Sequence, residues 1–518
     1  MVGGFYRISL KSSCFVFPSF LSYAIMFFIG IDLGSSSVKV SVLDGHSGQV
    51  VGSGSAPQQE APIMALRNGW AEQAPEDWWS YMKQALQEAL CQALVDKHDI
   101  QAVGITYQMH GLVLVDRDQQ VLRPSIIWCD SRAVPYGEQA FETLGHDYCL
   151  HHLLNSPGNF TAAKLAWVRE HEPAIFDKTY KFMLPGDYLA MRMTGEVHTT
   201  VPGLSEGMLW DFQENALSGA LMRHFGIPGE MVADLVPTFG EQGFLTEKAA
   251  AELGLPAGMP VCYRAGDQPN NALSLNVLNP GEVAATAGTS GVVYGINDQV
   301  CTDPRSRINI FAHVNHSASA TRLGVMHCTN GVGIQNAWMK RMVAPDLSYE
   351  QFNELAAQAP IGSDGVTVLP FGNGAERILE NRQVGASIHG LNFNNHNAST
   401  LARAAQEGVA FSFKYGMDIM HDTGMNTRII RAGHANMFLS PIFRTTLATI
   451  ADATIELYDT NGSVGAAIGA ALGCGYYHSP AEAFAPLRKM AVVEPDIDKK
   501  ECYADAYRRW MNCLNPNS

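Results

Sequence analysis

Two separated stretches of this chain open in the same way, and that recurrence limits what it can fold into. Phe27 to Asp32 reads as a buried strand running into the small-residue turn Gly34-Ser35-Ser36-Ser37. Val38 to Leu43 then alternates apolar and polar residues as a half-buried strand does. Asp44 to Gly48 supplies a hairpin turn into a third strand, Gln49 to Ser53. Far along the chain, Gly281 to Ala287 reads as a strand, Gly288-Thr289-Ser290 as a turn and Gly291 to Tyr294 as another strand. The two units share no close identity, so the expectation is a duplicated α/β fold of two lobes. Strand, glycine loop, strand differs from the strand–loop–helix of a P-loop or dinucleotide-binding unit, and neither GxGxxG nor GxxxxGK[ST] occurs.

Between the two units lies Ala265-Gly266-Asp267-Gln268, a carboxylate directly after a glycine and close to the expected lobe junction. A carboxylate near turns rich in backbone N–H groups and hydroxyls suits an enzyme that deprotonates a hydroxyl and holds a polyphosphate. Asp32, at the carboxyl end of its strand, is placed to reach a phosphate-bound cation. The balance of 35 Lys and Arg against 50 Asp and Glu gives a net charge of −15. That disfavours nucleic acid and an anionic membrane as partners, and leaves phosphate binding to local N–H groups and a divalent cation. The ten cysteines are scattered, with no Cys-x-x-Cys, and read as reduced thiols of a cytoplasmic enzyme. Residues 1–25 carry Arg7 and Lys11 before an apolar run broken by Pro18. They read as an extension outside the fold, and the folding unit is expected to start at Met26.

Along the chain, Pro75-Glu76-Asp77-Trp78-Trp79 opens a helix to about Val95, with proline in the first turn and acids matched to the dipole. The strand Gln101 to Thr106 ends in the polar loop Gln108-Met109-His110-Gly111, positioned as a binding loop would be. An apolar strand before Trp128-Cys129-Asp130-Ser131-Arg132 places an Asp and an Arg two apart, able to bind a polyol or each other. Residues 133–260 read as largely helical. Cys328 to Lys340 is expected to begin a helix, Leu401 to Phe411 is a small-residue helix, and Gly462 to Gly473 is a helix suited to close packing.

Together, Gly30-Ile31-Asp32-Leu33-Gly34, Gln108-Met109-His110-Gly111, Trp128 to Arg132, Phe160 to Trp167, Gly266-Asp267 and Gly288-Thr289-Ser290-Gly291 resemble the FGGY family of carbohydrate kinases. The likeness runs from about Met26 to the C-terminus, and the QMHG tetrapeptide looks like the ketose kinases, those acting on xylulose first, rather than the glycerol kinases. The resemblance implies an α/β fold of two actin-like (ribonuclease H-like) ATPase domains with the active site in the cleft between them. Residues 26–278 would form the sugar-binding domain and 279–518 the nucleotide-binding domain. It implies ATP-dependent phosphorylation of the terminal hydroxyl of a ketose, with D-xylulose ahead of a heptulose, ribulose or polyol. Asp267 would be the catalytic base, and Gln108, Met109, His110, Asp267 and Gln268 would line the sugar pocket. Asp32 would hold Mg²⁺. Gly34, Ser35, Ser36, Gly288, Thr289 and Ser290 would bind the ATP phosphates, with Gly433, Asn436, Gly331 and Trp338 on the adenosine side. A homodimer is an expectation at family level only. Three places depart from the xylulose-kinase pattern: Arg264-Ala265-Gly266-Asp267-Gln268 replaces Gly-Gly-Gly-Asp-Asn, Arg431-Ala432-Gly433 replaces a triple glycine, and Asn159 stands where the family motif seldom has an asparagine. A reading of another class, a non-catalytic actin-like protein that binds ATP or sugar, is opposed by Asp267.

Overall fold

The computed structural model describes residues 26–515, so the expectation for residues 1–25 lies outside the described residues. Its first sheet has five strands in the spatial order Val261–Gly266, Ile100–Tyr107, Phe27–Leu33, Val38–Asp44, Val50–Ala56. The second has seven: Asn309–Ala312, Leu323–Thr329, Gly291–Asn297, Val283–Ala287, Ile429–Gly433, Thr454–Tyr458, Lys489–Val493. With its two outermost strands set aside, the second repeats the first in order and in sense. In both, the opening strand pairs antiparallel with the second and parallel with the fourth. The second and third are antiparallel, and the fourth and fifth parallel. This is the ribonuclease H-like arrangement, present twice.

Helices cover both faces of the first sheet. Pro75–Ala93 packs on the Val50–Ala56 edge through Trp78, Met82, Ala85 and Ala89. Gly462–Gly473 lies across the opposite face although it follows the strands of the second sheet in sequence. Its Ala and Gly side chains let backbone meet backbone: a methyl group on Gly30 or Gly104 would overlap the carbonyl oxygens of Ser463 or Ala466. Reciprocally, helix Asp267–Ser274 follows the last strand of the first sheet and packs on the first two strands of the second. The lobes are therefore laced together by exchanged helices, which a single cut in the sequence does not express. Gly30→Ala should lower stability by roughly 1–3 kcal/mol or more, because the obstacle is main chain and cannot rotate away. A thermal melt of that variant checks it.

Two local expectations are corrected. Cys328 and Thr329 close the strand Leu323–Thr329, and the helix begins only at Gly333. The strand before Trp128 is short, Ser125–Ile126, because the chain then turns to seat Asp130. Among the described residues no helix is long and apolar enough to cross a membrane, and the nine cysteines are unpaired.

Candidate active site

A cleft of about 510 Å³ opens between the lobes, bounded by the ends of several strands. From the first sheet come Asp32 and the turn Gly34 to Ser37, then Gln108, Met109 and His110 after Ile100–Tyr107, and Asp267 and Gln268 after Val261–Gly266. From the second come Ser290 and Val292, Asn309, Met326, Cys328, Asn330 just after strand Leu323–Thr329, and Glu376 and Arg377 from a separate segment after Thr367–Leu369. Parallel neighbouring strands with one direction put their carboxyl ends together, which is why residues distant in sequence meet here.

Asp267 is the first residue of its helix, and Gly266 before it is boxed in. A Cβ on Gly266 would lie 2.6 Å from Met109 Cγ and 2.7 Å from a Glu206 carboxylate oxygen. Burial in the cleft wall, with repulsion from Asp32 behind it, raises the Asp267 carboxyl to about 7, against hydrogen bonds from Gln268 that lower it. Asp32 is raised to about 6 by burial, with Lys39 opposing. Asp32 also lies against the start of helix Gly462–Gly473, where a side chain on Gly462 would collide with its carboxylate. Asn270, one turn after Asp267, donates to the Gly462 carbonyl at 2.9 Å. Two half-buried carboxylates thus line one cleft close enough for Asp32 to repel Asp267, with the start of helix Gly462–Gly473 against Asp32.

The QMHG loop is fixed from beneath. His110 adopts φ +61°, a left-handed conformation uncommon for a residue with a side chain. Lys164, fully buried, donates to the His110 carbonyl at 2.7 Å and the Ile127 carbonyl at 3.0 Å. Its burial lowers it to about 7. His110 is held neutral, lowered to about 3 by burial and by Lys164. Its Nδ1 lies 3.1 Å from the Glu206 carbonyl, which can only accept. Nδ1 therefore carries the proton, and Nε2 remains an acceptor for a hydroxyl. Gln108 is tied through Gln73, whose Oε1 accepts from Gln108 Nε2 at 3.1 Å and whose Nε2 donates to the Ser35 carbonyl at 2.7 Å. One glutamine so links the QMHG loop to the Gly34–Ser36 turn.

The remaining sequence candidates divide. Ser290 lines the cleft, whereas Gly288, Thr289, Gly433, Asn436, Gly331 and Trp338 lie off it. Gly288 and Thr289 accept from the backbone of Gly333 and Ile334 at the start of helix Gly333–Val343. Asn436 Nδ2 is 3.8 Å from a Cβ position on Gly288, so these residues form a neighbouring group on the second lobe. Trp338 stands 46% exposed on that helix. Gly331 is buried with its α-carbon against the Pro370 carbonyl, and packing accounts for glycine there. Arg431 turns to Glu282, Glu456 and the Asn276 carbonyl. Asp130 and Arg132 bond each other, at 2.7 to 3.0 Å, buried under Trp70 and Trp167. Of the two alternatives for that pair, the structure has the mutual one.

Four residues at or beside the cleft had no signal in the sequence: Glu206, Asn309, Glu376 and Arg377. Glu206 lies beneath Gly266 and His110, and burial raises it well above the ordinary carboxylate range. Glu376 receives the Asn330 N–H at 3.0 Å and is raised to about 8 by burial. Among the described residues no group of three His, Cys, Asp or Glu side chains is arranged to hold a metal ion.

Two ribonuclease H-like lobes, with a carboxylate base candidate in the cleft and small-residue turns beside it, define an actin-like phosphotransferase. The chain belongs to the FGGY family of carbohydrate kinases. The family's N-terminal domain matches residues 27–274 and its C-terminal domain residues 283–477. It is 31% identical over 500 residues to a xylulose kinase of Bacillus subtilis (strain 168), covering 93% of this chain and 96% of that one. To a xylulose kinase of Escherichia coli (strain K12) it is 30% identical, covering 94% and 99%. A solved xylulose kinase from Rhodospirillum rubrum superposes with a TM-score of 0.84 at 26% identity, covering 95% of this chain and 98% of that one. The chain is thus a carbohydrate kinase with two actin-like domains and an interdomain cleft.

Proposed function

We propose that the enzyme transfers the γ-phosphoryl group of ATP to the terminal hydroxyl of D-xylulose, giving D-xylulose 5-phosphate and ADP. The observation that carries the reading is Asp267, with a carboxyl raised to about 7, set against the Gln108–His110 loop in the same cleft as Asp32. The named relatives support the choice of sugar.

In this reading residues 26–278 hold the sugar and 279–518 the nucleotide. Asp267 accepts the proton of the terminal hydroxyl as its oxygen attacks the γ-phosphorus; the new O–P bond forms as the bond to ADP breaks. His110 Nε2 and Gln108 orient the sugar through its hydroxyls, with Met109 and Gln268 completing the wall. The turns Gly34-Ser35-Ser36 and Gly288-Thr289-Ser290 offer N–H and hydroxyl groups to the phosphates, and Gly433 and Asn436 lie toward the adenosine. Asp32 and Asp267 repel, and Lys39 is the counter-charge acting on Asp32, a donor set that fits a divalent cation. Asp32 would hold Mg²⁺, directly or through water, and the bound ion would supply positive charge to the phosphate oxygens. Lobe closure, with residues 260–285 as hinge, would keep water from the γ-phosphate. The unpaired cysteines support a cytoplasmic setting.

The test is ADP release with Mg·ATP across D-xylulose, D-ribulose, sedoheptulose, glycerol and xylitol. D-xylulose should give the highest kcat/KM. A higher value for any other sugar removes the choice of substrate, and absence of sugar-dependent release removes the kinase reading.

A further inference from the structure

The second lobe contributes to the cleft more than a surface for nucleotide. Its edge strand Asn309–Ala312 is docked onto the first lobe by two polar contacts. Asn155 donates to the Ile310 carbonyl at 2.6 Å and accepts from its N–H at 2.9 Å. Ser205 Oγ accepts from Ala312 N–H at 2.9 Å. This docking sets Asn309 in the cleft wall opposite the QMHG loop. Arg377 arrives on a short 3₁₀ turn, Arg377–Leu379. Its Nη2 donates to Ser306 Oγ at 2.8 Å on its own lobe and to Ser156 Oγ at 3.3 Å on the other. The guanidinium lies 5.8 Å over Phe160, whose ring meets the edge of His110 at 4.8 Å.

Both side chains line the cleft, and both carry buried polar atoms that find no partner among the described residues: Asn309 Oδ1 and Arg377 Nε. Two first-lobe residues of the same wall, Gln108 and Asn159, do so as well, through Oε1 and Oδ1. A buried polar atom left unpaired costs roughly 1–3 kcal/mol, so four around one cavity call for a ligand that supplies the missing partners. Three are acceptors and one is a donor. A chain of hydroxyls, each able to donate and accept, with a carbonyl for the donor, satisfies that set. A purely anionic ligand would find three acceptors facing it. Burial also lowers Arg377, to about 10, as expected of a cation whose pairing is incomplete.

Resting on the ketose-kinase reading, we infer that Asn309 and Arg377 bind the acceptor sugar, so that both lobes read its hydroxyls and sugar specificity is divided between them. Sugar bound this way favours the closed lobes, because only there do all four groups gain partners.

The experiment is steady-state kinetics of Asn309→Ala and Arg377→Gln, with D-xylulose and Mg·ATP varied separately, and a thermal melt of each. Among the described residues the Asn309 side chain makes no hydrogen bond and its Oδ1 is buried unpaired, so Asn309→Ala should not lower the melt. It should raise the D-xylulose KM roughly 2- to 10-fold, the worth of one neutral hydrogen bond. Arg377→Gln should raise it roughly 10- to 100-fold, as for a charged donor. The KM for Mg·ATP should stay within about twofold in both, and preference for D-xylulose over its epimer D-ribulose should narrow. An unchanged D-xylulose KM in both variants overturns the inference and leaves the kinase reading intact. So does a parallel rise of both KM values with a lowered melt, the mark of a structural role. A wild-type enzyme without sugar-dependent ADP release would remove the reading, and this inference with it.

Discussion

Asp267→Asn is expected to reduce kcat for sugar-dependent ADP release by roughly 10²–10⁴-fold, the range of a positioned general base, while the KM for D-xylulose moves only a few-fold. Asparagine keeps the size of the side chain and its place at the head of helix Asp267–Ser274, so the wall of the cleft stays as it is. What it removes is the ability to take a proton at neutral pH. The raised carboxyl of Asp267 makes that ability unusually well matched to the task, because a base near 7 is both ionised and basic at working pH. The split between kcat and KM is the informative part: removing uniform binding raises KM at constant kcat, whereas removing a group needed in the transition state lowers kcat. A variant with kcat within tenfold of wild type would take Asp267 out of the catalytic role.

Much of the fold and of the cleft lining is legible in the sequence. The two lobes could be read because each begins with a strand, a glycine turn and a strand, and such hairpins are local. Asp32, the QMHG loop and Asp267 could be read because each ends an apolar strand, where parallel neighbours gather their termini. The exchange of helices could not be read, since nothing in Gly462–Gly473 says whose sheet it covers; small residues announce close packing without naming the partner. Asn309 and Arg377 were hidden for a related reason. Asn309 begins an edge strand whose place depends on Asn155 across the lobes, and Arg377 sits in an irregular segment rich in Gly and Asn. Glu206 ends a short helix far from Gly266 in sequence, so its burial beneath that residue is purely tertiary. The pairing of Asp130 with Arg132 was legible as one of two choices, and the aromatic walls of Trp70 and Trp167 decided between them.

The two cleft carboxylates should also make stability and activity depend on pH in opposite senses. In the folded chain Asp267 and Asp32 are raised to about 7 and about 6, above the ordinary value of 3.8. Between about pH 4 and pH 7 the folded state therefore binds more protons than the unfolded state, and their contribution to stability declines as pH rises through that window. Activity runs the other way: as the proposed base, Asp267 has to be ionised to accept the hydroxyl proton, so kcat/KM should fall about tenfold per pH unit below its pKa. Asp32→Asn separates these two carboxylates from every other titrating group. Without the metal or ATP, the variant's melting temperature should exceed that of wild type, and the difference should widen from pH 5 to pH 8 as the wild-type pair ionises. Repulsion from Asp32 is the second contribution to the raised Asp267, after burial, so in the variant the acid limb of kcat/KM should move to lower pH by less than the whole shift. Mg²⁺ added to wild type should raise the melt at pH 8 more than at pH 5, since protons compete for the same oxygens. Melts of wild type and Asp32→Asn across that range, with and without Mg²⁺, check the first and third, and pH–rate profiles of both enzymes check the second; a pH-independent melt difference would mean that the two carboxylates do not repel one another in the cleft.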